Sequence, residues 1–581
     1  MSDPTLSRRI AEAYVNLGML LREANEFAAA ADAFRQAIAR APEDATPHLA
    51  LGLVLNDARQ YDEAIVALQQ ALERAGRPET QAAVHTALGT ALSEQKRWAG
   101  AVAAFQEALR LGSPTAELYT SLGNSLYFAE RTEEALTALE QAVALDSEYA
   151  PAYAKKGRVL GRLGRYEEAL REYEGAIALR PDYADAIAGR GETYRQMGRY
   201  AEALADFDRA IALDEKYAFA IARRGATYRQ MGRYAEALAD LDLAIALDEN
   251  NASMFAARGE TYRQMGRFAE ALADLDRAIA LDEKLAWAIA SRDVTYRQLG
   301  RYAEALADLD RAIAFDEKDA WALASRGETY RQLGQFAEAL ADFDRAIALD
   351  EKLAWAIASR GETYRQMGRF AEALADLDRA IALDEKYAGA IASRGETYRQ
   401  LGRYAEALAD FDRAIALDEK DAWAIASRGE TNRQMGRYAE ALADLTVADQ
   451  LQADSNWTAY QIGLCHLASG RPEPASACFA MAIARAQAIV AKDPADTITR
   501  FNLALYFLAV GRPRKALRTY RETLASNPQL PRLRDALQDL TDLHAAMGEL
   551  SGLRKARQIV EQAIKARPAA EPSRVSTAPA S

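Results

Sequence analysis

The stretch ADAIAGRGETYRQMGRYAEALADFDRAIALDEKY, Ala184–Tyr217, returns with few changes from Ala218, Ala252, Ala286, Ala320, Ala354, Ala388 and Ala422, always at a step of 34 residues. A fixed period of this size marks a stacked-repeat architecture, in which each unit buries its apolar face against its neighbours only. With Ala184 as position 1, the unit reads as two antiparallel helices. Ile187 and Tyr194 stand seven residues apart and share one helix face, with Gly191 between them. Gly198 then suits the left-handed residue that ends a helix. In a second helix over about Ala201–Ile211, Ala203, Leu204, Phe207, Ala210 and Ile211 form one apolar stripe. Small residues at Gly191 and Ala203 allow the two axes to approach closely. Packing accounts for all of these residues without any chemistry.

Outward from this block the period weakens but stays readable. The first unit, Ala11–Asp44, carries Tyr14, Leu17, Gly18, Leu21, Ala30, Phe34, Ala37 and Pro42. These eight residues stand where the tetratricopeptide repeat (TPR) has its characteristic large, Leu-Gly, Tyr/Leu, Ala, aromatic, Ala and Pro positions. The chain therefore resembles a TPR array, and the resemblance implies an all-α, right-handed superhelical solenoid of about 16 helix pairs.

The expected organisation is an N-terminal extension over 1–10, diverged units over 11–183, near-identical units over 184–455 and diverged units over 456–530. Capping helices follow over 531–568, and an Ala/Pro/Ser-rich tail over 569–581 should be disordered. A short insertion near Gly76 and Pro78 interrupts the second unit, and the second helix of the Asn456 unit should extend to about Lys492. No proline occurs between Pro181 and Pro472, so nothing breaks the central helices. Glu replaces the family's position-32 proline, as at Glu215 and Glu385. Together with the preceding Asp it should favour the next helix dipole.

The net charge of −13 and pI near 5.2 argue against general nucleic-acid binding. Two cysteines in 581 residues are no disulfide framework and point to a reducing, cytoplasmic setting. The N-terminus meets Glu12, Asn16 and Arg22 too early for a signal peptide, and neither a membrane span nor membrane insertion is expected. Gly157–Arg165, GRVLGRLGR, lies across a helix and its turn with no preceding strand, which disfavours a phosphate loop. Cys465, His466 and Cys478 lack a fourth ligand, so buried apolar cysteines are preferred to a metal site. Neither a cofactor nor a catalytic constellation is expected.

By resemblance, the first helices line a concave groove and present positions 2, 5, 9, 12 and 13 to it. The family's carboxylate clamp requires Lys at position 5, where this chain has no basic residue. Position 12 gives the ladder Arg195, Arg229, Arg263, Arg297, Arg331, Arg365, Arg399 and Arg433. Position 13 gives Gln from Gln196 to Gln434, and position 9 gives Glu192, Glu260, Glu328, Glu362, Glu396 and Glu430. These could hold an extended peptide, or each Glu and Arg could neutralise each other at i, i+3. Trp287, Trp321, Trp355, Trp423 and Trp457 fall at position 2, as ligand anchors or as fillers of the seams between repeats. The seam reading notes one aromatic per junction in most of the block, with Tyr183 or Tyr387 substituting where position 2 is Asp185 or Gly389.

Position 7 is Arg throughout the block, and Arg190 should pair with Asp206 or Asp208 of its own second helix. Asp293 in place of the small Gly, and Asn432 in place of Tyr, should soften their repeats. The expected function is a non-enzymatic scaffold that binds a peptide segment or helix of partner proteins. The alternatives are a self-assembling homo-oligomeric scaffold and a non-catalytic subunit of an enzyme encoded elsewhere.

Overall fold

The computed structural model describes residues 4–528 and 530–566; Pro568 and the tail over 569–581 lie outside the described residues. Among the described residues there are thirty-two α-helices and no strand. The Ala184 unit forms helices Ala184–Gln196 and Tyr200–Leu213. Phe207, Ala203 and Ala210 are fully buried between them. A Cβ on Gly191 would stand 3.1 Å from carbons of Asp206 and Phe207, which is why this position is small.

Helix ends follow the same economy. Gly198 takes φ +75°, its N–H meets the Arg195 carbonyl at 3.1 Å, and the Arg199 N–H meets that of Tyr194 at 2.9 Å. The first four units make the same turn without glycine, placing Asn25, Arg59, Lys96 and Glu130 at φ near +60°. Between units, the Asp214 carboxylate accepts the Lys216 N–H at 3.0 Å, and Asp384 and Asp418 repeat this with Lys386 and Lys420. These aspartates therefore shape the turn itself, in place of the family's proline, rather than act only as charges beside the next helix. The insertion near Pro78 becomes an extra first turn, so that helix runs Pro78–Glu94 with its proline at the start.

The chain divides into two units, residues 1–288 and 289–581. In each, a first helix packs on its own second helix, and that second helix packs on the next first helix. Successive first helices also touch, as Ala354–Gln366 does Ala388–Gln400, so the first-helix side is the crowded, inner side of the array. Helix Pro472–Lys492 reaches Lys492 as expected, and by length and composition alone it is apolar enough to cross a membrane. It buries Ala475, Phe479, Ala482, Ile483 and Ala486 in the array.

Candidate peptide-binding groove

The position-9, -12 and -13 side chains find one another. Arg195 makes two hydrogen bonds to Glu192, at 2.8 and 2.6 Å, and Gln196 donates to the same carboxylate at 3.1 Å. The pattern repeats at Arg263–Glu260–Gln264, Arg331–Glu328–Gln332, Arg365–Glu362–Gln366 and Arg399–Glu396–Gln400. Rungs are also joined lengthwise: Arg195 donates to Gln230 at 2.8 Å, and Arg399 lies 3.6 Å from Glu430. Burial alone pushes the Glu192 carboxyl up, but the Arg195 hydrogen bonds and the Arg223 charge outweigh it, and its pKa falls below the ordinary value. The ladder is thus largely self-satisfied.

Three rungs differ. In the Ala286 repeat Val294 occupies position 9, and Arg297 turns to the fully buried Asp293, one helical turn away, at 2.9 Å. Glu430 leaves Arg433 and instead accepts the indole N–H of Trp457. Arg433 keeps a buried Nε with no hydrogen-bond partner, as does Arg229, whose repeat has Ala226 at position 9.

One cleft of about 480 Å³ opens on this wall in residues 289–581. Trp321, Trp355 and Tyr387 line it from three successive junctions, with Arg297, Glu328, Arg331 and Glu362 as its polar side. The two indoles are half-buried, with ring centroids 6.1 Å apart. Trp355 and Tyr387 also pack on the apolar core beneath, so a seam filler and a cleft wall are here the same side chain. Ser325, Ser359 and Ser393 complete the floor, and the buried Ser325 hydroxyl has no partner. Trp287 and Trp423 lie outside this cleft, 40% and 46% exposed.

Models of the tetratricopeptide repeat match residues 15–80, 49–117, 86–150, 148–216, 252–285, 318–386 and 454–529, and a TPR-repeat model matches 225–266, 295–330 and 395–436. The chain belongs to the tetratricopeptide-repeat family. Among solved structures, it is similar to the Cut9–Hcn1 hetero-tetramer of the APC/C, at 15% identity, TM-score 0.53, with 84% of this chain and 94% of that one covered. That likeness supports the TPR fold. YrrB, titled a TPR protein with an unusual peptide-binding site, aligns at 28% identity and TM-score 0.28 over 33% of this chain and 97% of its own. A TPR protein from Parabacteroides merdae aligns at 19% identity and TM-score 0.39 over 43% of this chain and 98% of its own. No curated protein matches the chain.

In this TPR array the position-7 arginines hold the repeats together. Arg190 meets Asp206 through two bonds of 2.8 Å, as its spacing implies. Asp208 serves the following repeat instead, accepting Arg224 at 2.7 Å, while Arg224 also grips Asp240 of its own repeat. Arg258, Arg326, Arg360, Arg394 and Arg428 repeat this double grip, so each ties two consecutive TPR units. Asn432 is 93% buried in the Ala422 repeat and donates to Asp444 at 3.4 Å, so its amide has a partner.

The C-terminal region holds a groove feature that composition did not reveal. Its last part forms two helices, Leu530–Met547 and Leu553–Lys565. Arg534 in the first donates to the Met367 carbonyl at 3.3 Å, across 167 residues of sequence. The same helix brings Asp535 within electrostatic range of Arg365, and Asp539 and Asp542 within range of Arg399. Crowding by protein, with repulsion from Asp535, Asp542 and Glu430, raises the Asp539 carboxyl well above its usual range. The i, i+4, i+7 spacing of these acids was readable; their meeting with the ladder was not. Cys465 is buried, which pushes its thiol up to about 11, as suits a packing residue.

Proposed function

We propose that this TPR protein is a non-catalytic, cytoplasmic scaffold that holds an extended segment of a partner protein in its first-helix groove. The cleft between Trp321, Trp355 and Tyr387 carries this reading, because partly exposed aromatics beside an unpartnered hydroxyl give both apolar anchors and a hydrogen-bonding edge. The Arg–Glu ladder serves mainly to stiffen the wall on which these anchors stand.

The test is capture of partners from the native cell, mapping of the bound segment, and measurement of its affinity for W321A and W355A. The expected result is a loss of about tenfold or more for each variant. Binding unchanged in both, with stability alone reduced, would return the tryptophans to seam packing and refute the groove.

A further inference from the structure

In residues 1–288 the repeats from Ala184 and Ala252 carry the same Glu, Arg and Gln at positions 9, 12 and 13, so that one register of a bound chain resembles the next. The Ala218 repeat breaks this monotony twice. Position 9, Glu in the repeats on either side, is Ala226, and position 6, Gly189 and Ala257 in those repeats, is Arg223. One change removes a negative charge and the other adds a positive one, both on the same repeat. Arg229 has no carboxylate partner among the described residues, and its Nε is buried with no hydrogen bond. Arg223 stands over the Phe219 ring at 5.2 Å and 3.9 Å from Glu192, which is already committed to Arg195. Glu192 is held by Arg195 and Glu260 by Arg263, so the Ala218 repeat supplies no position-9 carboxylate of its own to Arg229.

An uncompensated, partly buried guanidinium is costly, and the fold has a ready measure of what would satisfy it. In neighbouring repeats the same arginine takes a carboxylate in a two-pronged grip, at 2.8 and 2.6 Å for Arg195. Burial pushes the Arg229 pKa down, with Arg195 and Arg263 adding repulsion against the attraction of Glu260. Phe219, 39% exposed and 5.9 Å from the Tyr217 ring, offers an apolar surface beside the charge.

We propose that Arg229 and Arg223 form a carboxylate-binding site that seats an acidic side chain of the bound peptide and fixes its register along the repeating groove. The proposal rests on the groove reading above and adds to it a position and a chemical class. A register is chosen by the difference between one placement and the next, so one irregular repeat suffices where identical ones cannot discriminate.

Fluorescein-labelled hexaglutamate, with hexaglutamine as the neutral counterpart, tests the site by anisotropy on the full chain at low ionic strength. Wild type should bind hexaglutamate and not hexaglutamine. Ala226→Glu copies the neighbouring repeats, so it folds, and it should weaken binding about tenfold by supplying the missing carboxylate from within. Arg229→Gln should do the same. Ala235→Glu adds an equal charge at an exposed position of the second helix in the same repeat and should leave binding unchanged. Undiminished binding by Ala226→Glu, equal loss in Ala235→Glu, or no binding by wild type overturns the site. None of these outcomes bears on the groove reading, which is decided by the mapped partner segment and the tryptophan variants.

Discussion

Arg297 reaches Asp293 one turn back along its own helix at 2.9 Å, whereas Arg331 in the next repeat reaches Glu328 three residues back. The Asp293–Val294 pair is thus a displaced carboxylate: the acid has moved one position and the arginine has followed. Burial pushes the Asp293 carboxyl up to about 6 despite Arg297. Asp293→Gly alone should destabilise residues 289–315 by roughly 3 kcal/mol, because it leaves a buried guanidinium unpaired. Asp293→Gly with Val294→Glu recreates the neighbouring repeat and should recover that loss. Native-state hydrogen exchange reads both, which is preferable to a global melt for a repeat array.

The same residue sets a pH dependence. Its folded pKa lies above its unfolded value near 3.8, so the folded repeat binds the proton more tightly. The part of the stability that comes from Asp293 holding its proton is complete below about pH 4 and lost as pH rises through about 6, while the ion pair with Arg297 persists above it. Exchange over 289–315 should therefore speed up across this window in wild type and lose that component in the double variant.

The arginine lattice predicts unequal consequences for its two aspartates. Arg326 meets Asp342, only 6% exposed, and Asp310, 57% exposed, both at 2.7 Å. Asp342→Asn should cost about 3 kcal/mol by breaking a buried pair, and Asp310→Asn no more than about 1 kcal/mol. Equal effects on exchange in Ala320–Leu349 would contradict this assignment.

Lys96 and Glu130 sit at φ +59° and +63°, where the near-identical repeats have glycine. Lys96→Gly and Glu130→Gly should each stabilise their unit by about 0.5–1 kcal/mol, because the left-handed conformation strains a side-chain-bearing residue more than it costs glycine in flexibility. Slower exchange in the flanking helices is the expected observation.

Asp539 lies among Asp535, Asp542 and Glu430, with Arg399 as a compensating charge. Its raised pKa means that its favourable contribution belongs to the protonated form and fades as pH rises through the folded value. Asp539→Asn should protect the Leu530–Met547 helix at neutral pH and flatten that dependence. Greater exposure of this helix in the variant, seen as faster exchange, would show that the charge is needed for docking.

The architecture was legible in the chain, because each TPR unit is specified by local periodicity and packs on its neighbours. Gly191, Phe207 and Ala210 repeat at 34 residues, and the helix pairs follow from that. The same period also set positions 9, 12 and 13 of successive repeats on one face, since side chains at fixed offsets on successive first helices must share it. How the charges on that face are divided depends on the three-dimensional stack. Asp208 and Asp240 are each 16 residues from Arg224, and stacking one repeat on the next gives Arg224 both of them. Arg195 has a carboxylate three residues away and is quenched, whereas Arg229 has an alanine there and is not. The meeting of the Leu530–Met547 helix with the wall at Met367 spans 167 residues, a separation no repeat period encodes. Local pattern fixes what nearest neighbours do; the partner of a long charged side chain is fixed by the three-dimensional stack.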